Sequence, residues 1–146
     1  MTLKNENNCA SLFQADLPKL TNPLVDMFAM QLSLQKHLAE KGRALDYEKA
    51  SFKEKVDDIT KQWRNMNMEM TELLERLPWK EWKTYPEESL KGFKNNDEML
   101  EVFYEYVDVL HFYLNIGLAL GIDGEMLEKL YVTKNKENFD RQKRGY

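Results

Sequence analysis

The sequence predicts an all-α fold, a helical bundle of four or more helices. Apolar residues recur at three- and four-residue spacing through long windows, proline falls only at the edges of those windows, and no stretch alternates apolar with polar as a half-buried strand does. The first helix is expected over 23–40. Thr21-Asn22-Pro23 sets a capping side chain before a proline at a first helical position, and Leu24, Met27, Phe28, Met30, Leu34 and Leu38 follow before Gly42. From Asp46 to Leu77 there is neither proline nor glycine, and Phe52, Val56, Ile59, Trp63, Met66, Met70, Leu73, Leu74 and Leu77 mark one long helix stopped by Pro78. Residues 78–96 read as a loop with one short turn at Glu87–Leu90. Asp97 is the expected cap of a third helix running to Gly121, nearly apolar all round after Val107, and a fourth is expected over 123–136.

Composition bounds what such a fold serves. At 146 residues and 17.4 kDa the chain fits one domain, 1–146, with a loose arm over 1–20 and a basic tail over 137–146. A domain of that size buries roughly 68–70% of the surface its unfolded chain exposes. With 42% hydrophobic and 32% charged residues and a mean hydropathy of -0.67, wholesale disorder is excluded and a wet surface is expected. No run approaches the roughly 20 apolar residues of a membrane helix, and Met1–Asn8 lacks the apolar run of a signal peptide, so the expectation is a cytoplasmic protein with no membrane partner. The single cysteine, Cys9, can form neither an internal disulfide nor a thiolate zinc site. Net charge is -4, but residues 129–146 carry six basic side chains against two acidic ones. The acidic remainder would repel a nucleic-acid backbone, so no nucleic-acid partner is expected. A small basic tail beside acidic clusters suits a smaller anion whose charge is partly held by metal ions.

Acidic residues sit where core helices are usually apolar. Glu69, Glu72 and Glu75 recur every third residue among Met66, Met70, Leu73 and Leu74, along a stripe bordering the apolar face. Glu105 and Asp108 lie inside Val102-Phe103-Tyr104-Glu105-Tyr106-Val107-Asp108-Val109-Leu110, where an unpaired carboxylate is expensive to bury. Two such pairs on antiparallel helices suit hard divalent cations, since Mg²⁺ takes oxygen ligands and keeps water and phosphate among them. Ion pairing with lysines or plain solvent exposure is the alternative that spacing alone leaves open. His111 follows Asp108 by three positions, but the second helical Glu-x-x-His of a di-iron site is missing.

The words around these carboxylates carry a resemblance. The stretch from Glu69 through Leu77-Pro78-Trp79-Lys80-Glu81-Trp82-Lys83, then Glu105-Tyr106-Val107-Asp108-Val109-Leu110-His111-Phe112, and a closing segment with Lys134-Asn135, Asn138, Arg141-Gln142 and Gly145-Tyr146 in order, resemble the all-α dimeric dUTPases. These belong to the MazG-like superfamily of nucleoside triphosphate pyrophosphohydrolases. The resemblance spans residues 24–146 and implies a homodimer that hydrolyses dUTP to dUMP and pyrophosphate. A relative acting on another nucleotide such as dCTP, or a binding module that has lost turnover, is the alternative reading.

Carried over residue by residue, it implies that Glu69, Glu72, Glu105 and Asp108 hold two or more Mg²⁺ ions, for which Mn²⁺ can substitute. Glu75 stands where a further carboxylate can assist. A metal-activated water is the implied nucleophile, with Glu72 taking its proton. Lys134, Arg141 and Tyr146 fall where phosphate contacts are expected, on a tail that closes over the substrate. Gln31, Gln35 and Asn138 supply amides for the base, and Trp63 supplies an aromatic wall or, equally, a core residue. Where the resemblance leads one to expect glutamine followed by asparagine on the first helix, this chain has glutamine twice.

Overall fold

A computed structural model describes residue 13, residue 17 and residues 19–145. Cys9, Tyr146 and nearly all of the expected N-terminal arm lie outside the described residues. The class is all-α, as expected: α1 (Pro23–Glu40), α2 (Phe52–Glu75), a short 3-10 turn (Glu87–Leu90), α3 (Asn96–Ala119) and α4 (Gly124–Lys143), with no strand among the described residues. No helix among these residues is long and apolar enough to cross a membrane.

Helix ends follow the side chains available to satisfy free backbone groups. At the start of α1, Asn22 accepts from the Val25 N–H at 3.4 Å, while the Asp26 carboxylate accepts from the Thr21 and Asn22 N–H groups at 3.0 Å each. The second helix begins at Phe52 and not at Asp46. Asp46 instead takes the Glu48 N–H at 3.1 Å in a turn, and Ser51 and Glu54 form a capping box. The Glu54 N–H donates to Ser51 Oγ at 3.3 Å and the Ser51 N–H to Glu54 Oε2 at 2.8 Å. The third helix is capped by Asn95 where Asp97 was expected, because Asn95 Oδ1 accepts the Glu98 N–H at 2.8 Å and Glu98 returns the bond to the Lys94 N–H at 2.6 Å.

Gly121, at φ +80°, closes α3 by letting the Ile122 N–H reach the Gly117 carbonyl at 2.8 Å. Asp123 then caps α4 through the Met126 N–H at 2.8 Å. This last helix runs on to Lys143, past the expected end at 136. The segment holds no helix breaker before Gly145, and Glu137 accepts from Arg141 at 3.2 Å and from Arg144 at 2.7 Å across its surface.

The chain divides into two compact units, one containing Lys61–Tyr113 and the other joining Leu20–Thr60 to Leu114–Tyr146. In the second, α1 packs on α4 and the buried apolar side chains are Phe28, Tyr47, Leu114 and Ala119. The Phe28 ring packs close to α3 at Gly117, where a Cβ would stand 3.2 Å from it. Tyr47 donates to the Asp58 carboxylate at 2.8 Å, and burial together with that bond pushes its phenol pKa far up. In the first unit Leu100 and Val102 are buried, and edge-to-face pairs join Phe93 to Phe103 and Trp79 to Trp82 at 6.2 and 5.5 Å.

Gly124 is the tightest point of the second unit. A Cβ at this position would stand 2.6 Å from Val25 Cα and 2.8 Å from Val25 N, and backbone cannot swing aside as a side chain does. Gly124→Ala is therefore expected to lower stability by about 1–3 kcal/mol despite the better helix propensity of alanine, read as a fall in the urea midpoint at unchanged slope.

Candidate metal centre

Within the Lys61–Tyr113 unit, α2 contributes Glu69 and α3 contributes Glu105 and Asp108, and one carboxylate oxygen from each lies within 4.8 Å of the others. Glu105 is only 4% exposed, whereas the Asp108 side chain is half exposed. Three anions held this close repel one another. Burial is the first cause that raises the Glu69 carboxyl above the ordinary carboxylate range, and Glu72, Asp108 and Glu105 add to it. Burial also raises Asp108, partly opposed by His111, whose Nδ1 stands 3.7 Å from the carboxylate, and reinforced by Glu105 and Glu72.

Glu72 stands outside the closest trio yet near enough to act on both neighbours. Glu75 turns to Lys80 at 3.3 Å, so its charge is already answered. Arg76, just past the end of α2, reaches Glu105 at 2.7 Å and Glu101 at 2.9 Å. Three converging oxygen donors that carry net negative charge fit a hard divalent cation such as Mg²⁺. They also leave room in an octahedral shell for water and phosphate oxygens.

The other candidate residues lie as follows. Gln31 and Gln35 are both buried on α1, one turn apart, and Gln31 Nε2 donates to Asn115 Oδ1 on α3 at 2.7 Å. Lys134, Asn138 and Arg141 share one exposed face of α4, a placement that follows from the helix continuing past 136. Trp63 is 55% exposed on α2, so it is not the core residue that its place on the apolar stripe allowed. Trp79 is partly buried and Trp82 is 76% exposed, so of the two loop tryptophans only the first packs inward.

Residues 23–125 match the family model described as dUTPase. The chain belongs to the dUTPase family. Among curated relatives it is 45% identical over 73 residues to the dCTP pyrophosphatase of Enterobacteria phage T4, a match covering 47% of this chain and 42% of that protein. The dCTP pyrophosphatase of Enterobacteria phage LZ5 is 44% identical over 71 residues, covering 47% and 41%. A DNA replication protein of phage T4 is 43% identical over 63 residues, covering 40% and 16%. The chain thus spans less than half the length of the curated relatives it matches. No solved structure matches it at a significant level.

The span shared with the dUTPase family contains all four carboxylates, Gln31, Gln35 and Trp63, while Lys134, Asn138 and Arg141 lie beyond it. Two residues in contact with the expected ones escaped the sequence reading. Asn115 was signalled only as an amide inside an apolar run, and Arg76 only as a cation next to the Glu69–Glu75 stripe.

Burial, with like-charged neighbours, makes the stability of the site depend on pH. Glu69 and Asp108 hold their protons to higher pH in the folded chain than in the unfolded one. The stability they contribute is full below the ordinary carboxylate range and is lost as pH rises through the raised values. Metal-free protein in chelator is expected to lose part of its thermal stability on this account as pH rises above the ordinary carboxylate range. Glu69→Gln flattens that slope, and Mg²⁺ stabilises the wild type at neutral pH more than it stabilises the variant; melting curves across pH check all three.

Proposed function

We propose that the protein is a Mg²⁺-dependent pyrophosphohydrolase that converts a pyrimidine deoxynucleoside triphosphate to the monophosphate and pyrophosphate. The observation that carries this reading is the convergence of Glu69, Glu105 and Asp108 inside the span that matches the dUTPase family. With Glu72 beside them, these carboxylates would hold the ions, which supply charge for the developing phosphoryl oxygens and lower the pKa of water. Glu72, outside the closest trio, is the group assigned to take the proton of the attacking water. Lys134 and Arg141 offer a point charge and a planar fork to the phosphates, with Tyr146 and Asn138 beside them in sequence. Gln31 and Gln35 are assigned to the base, and Trp63 to its face.

Two bases compete. The family description supports dUTP, so that the reaction would keep uracil out of DNA. The dCTP reading has specific support of its own: the phage relatives at 44–45% identity are named dCTP pyrophosphatases, and Gln35 stands where the dUTPase resemblance led to asparagine. Pyrophosphate release is expected from dCTP or dUTP, in Mg²⁺, well above release from dTTP, dATP and dGTP. Glu72→Ala is expected to lower turnover by about 10²–10⁴-fold at unchanged helicity. Whichever of dCTP and dUTP has the higher kcat/KM names the substrate, and a preferred purine triphosphate overturns both readings.

A homodimer belongs to the same proposal. In the Lys61–Tyr113 unit, α2 leaves Trp63, Met70 and Leu74 exposed and α3 leaves Phe103, Tyr106 and Tyr113 exposed, each set at three-, four- or seven-residue spacing along one helix face. Exposed stripes of that size are what helix pairing covers. Light scattering is expected to give twice 17.4 kDa for the wild type and 17.4 kDa for Tyr113→Glu, and a monomeric wild type overturns the dimer.

A further inference from the structure

Arg76 sits where a cation has two possible effects on the proposed metal site, and its contacts decide between them. Its Nε and Nη2 both donate to the same oxygen, Glu105 Oε1, at 2.8 and 2.7 Å, while Nη1 reaches Glu101 Oε2 at 2.9 Å. Glu101 and Glu105 are one turn apart on α3, so one planar guanidinium ties two carboxylates of the same helix face to the end of α2. Arg76 is only 25% exposed at its side chain and Glu105 only 6%, so the pair is held where water screens it little. Both of these Arg76 contacts on Glu105 fall on Oε1, and neither occupies Oε2.

A competing cation would weaken metal binding by repulsion. A clamp would strengthen it, by holding a buried carboxylate beside Glu69 and Asp108 against their like charge and by fixing which oxygen it presents. We propose that Arg76 is a positioning residue for the metal site, which holds Glu105 in place as a one-oxygen ligand, with Glu101 as the anchor that orients the guanidinium. The proposal rests on the reading of Glu69, Glu105 and Asp108 as a divalent-cation site. It adds a residue that ligand spacing does not reveal, because a guanidinium is not a metal ligand and acts here through Glu105.

The test is Mn²⁺ binding to the chelator-stripped full chain by titration calorimetry, with helicity followed by circular dichroism. Arg76→Met is expected to weaken Mn²⁺ binding by about 10–100-fold, the usual effect of removing a partner that orients a ligand. Arg76→Lys restores only part of it, since an ammonium lacks the fork. Glu101→Gln weakens binding less, and adding it to Arg76→Met has no further effect, because Glu101 acts through Arg76. Unchanged or tighter binding in Arg76→Met overturns the proposal, as a mere competing cation gives that result. If Arg76→Met does not fold, Arg76→Lys decides, and wild-type affinity there overturns it. Wild-type Mn²⁺ binding that survives Glu69→Gln unchanged, while Arg76→Met weakens it, overturns the trio as the site and leaves Arg76 acting on Glu105 elsewhere; no wild-type binding overturns both.

Discussion

Like-charge repulsion at one place is the constraint to which the Lys61–Tyr113 unit is built. Glu105 is buried, with a carboxylate oxygen within 4.8 Å of one on each of Glu69 and Asp108, an arrangement that a chain selected for stability alone would replace with apolar side chains. Several local features answer to it. Arg76 is held at the end of α2 with its guanidinium on Glu105; Lys80 draws Glu75 away; His111 stands beside Asp108. Glu69 stands among these anions with its carboxyl raised above the ordinary range, by burial first and then by Glu72, Asp108 and Glu105. Under the proposed reading a divalent cation bound there would relieve that repulsion, so the same carboxylates would destabilise the metal-free protein and stabilise the metal-bound one.

The second unit meets a different demand, close approach of backbones, and meets it with absent side chains. Gly117 admits the Phe28 ring and Gly124 admits the backbone of Val25, so α1 lies against the end of α3 and the start of α4. That proximity brings the buried Gln31 to Asn115. A buried amide on an apolar helix costs free energy unless it is paired, and here each amide supplies the other's partner. Small residues thus place polar ones, and the packing of this unit and its candidate recognition groups are two aspects of one arrangement.

How much of this was legible in the sequence depends on the range of the interaction responsible. Helix periodicity is a property of many residues read together, and it found α1 with both ends right and the short turn at Glu87–Leu90 in place. Caps depend on one or two side chains. Asn95 and Asp97 are both good caps, and the Glu98 N–H selects the first while the Glu98 carboxylate takes the Lys94 N–H; Ser51-x-x-Glu54 was a readable signal that the lack of proline or glycine back to Asp46 overrode. The expected end of α4 at 136 failed because a polar, basic stretch looks like a tail, whereas the Glu137 pairs and the lack of a breaker keep it helical. At the site, the carboxylates were legible because acid in an apolar setting is anomalous in one dimension. Arg76 and Asn115 were not, since each matters only through a residue 29 or 84 positions away.

The buried amide pair also sets a limit on what recognition by Gln31 can mean. An amide offers a carbonyl on one side and an N–H group on the other, and the two pyrimidines differ at the ring edge that such a group reads, cytosine donating where uracil accepts. The bond to Asn115 Oδ1 turns the Gln31 carbonyl away from Asn115. Yet both amides can be turned over together, and the hydrogen bond between them survives with donor and acceptor exchanged. The bond therefore fixes the two amides relative to each other and does not by itself fix the base. What holds Asn115 in one orientation holds Gln31 as well, so under the proposed assignment of Gln31 to the base, discrimination between dCTP and dUTP would be a property of the network around Asn115 and not of a single glutamine.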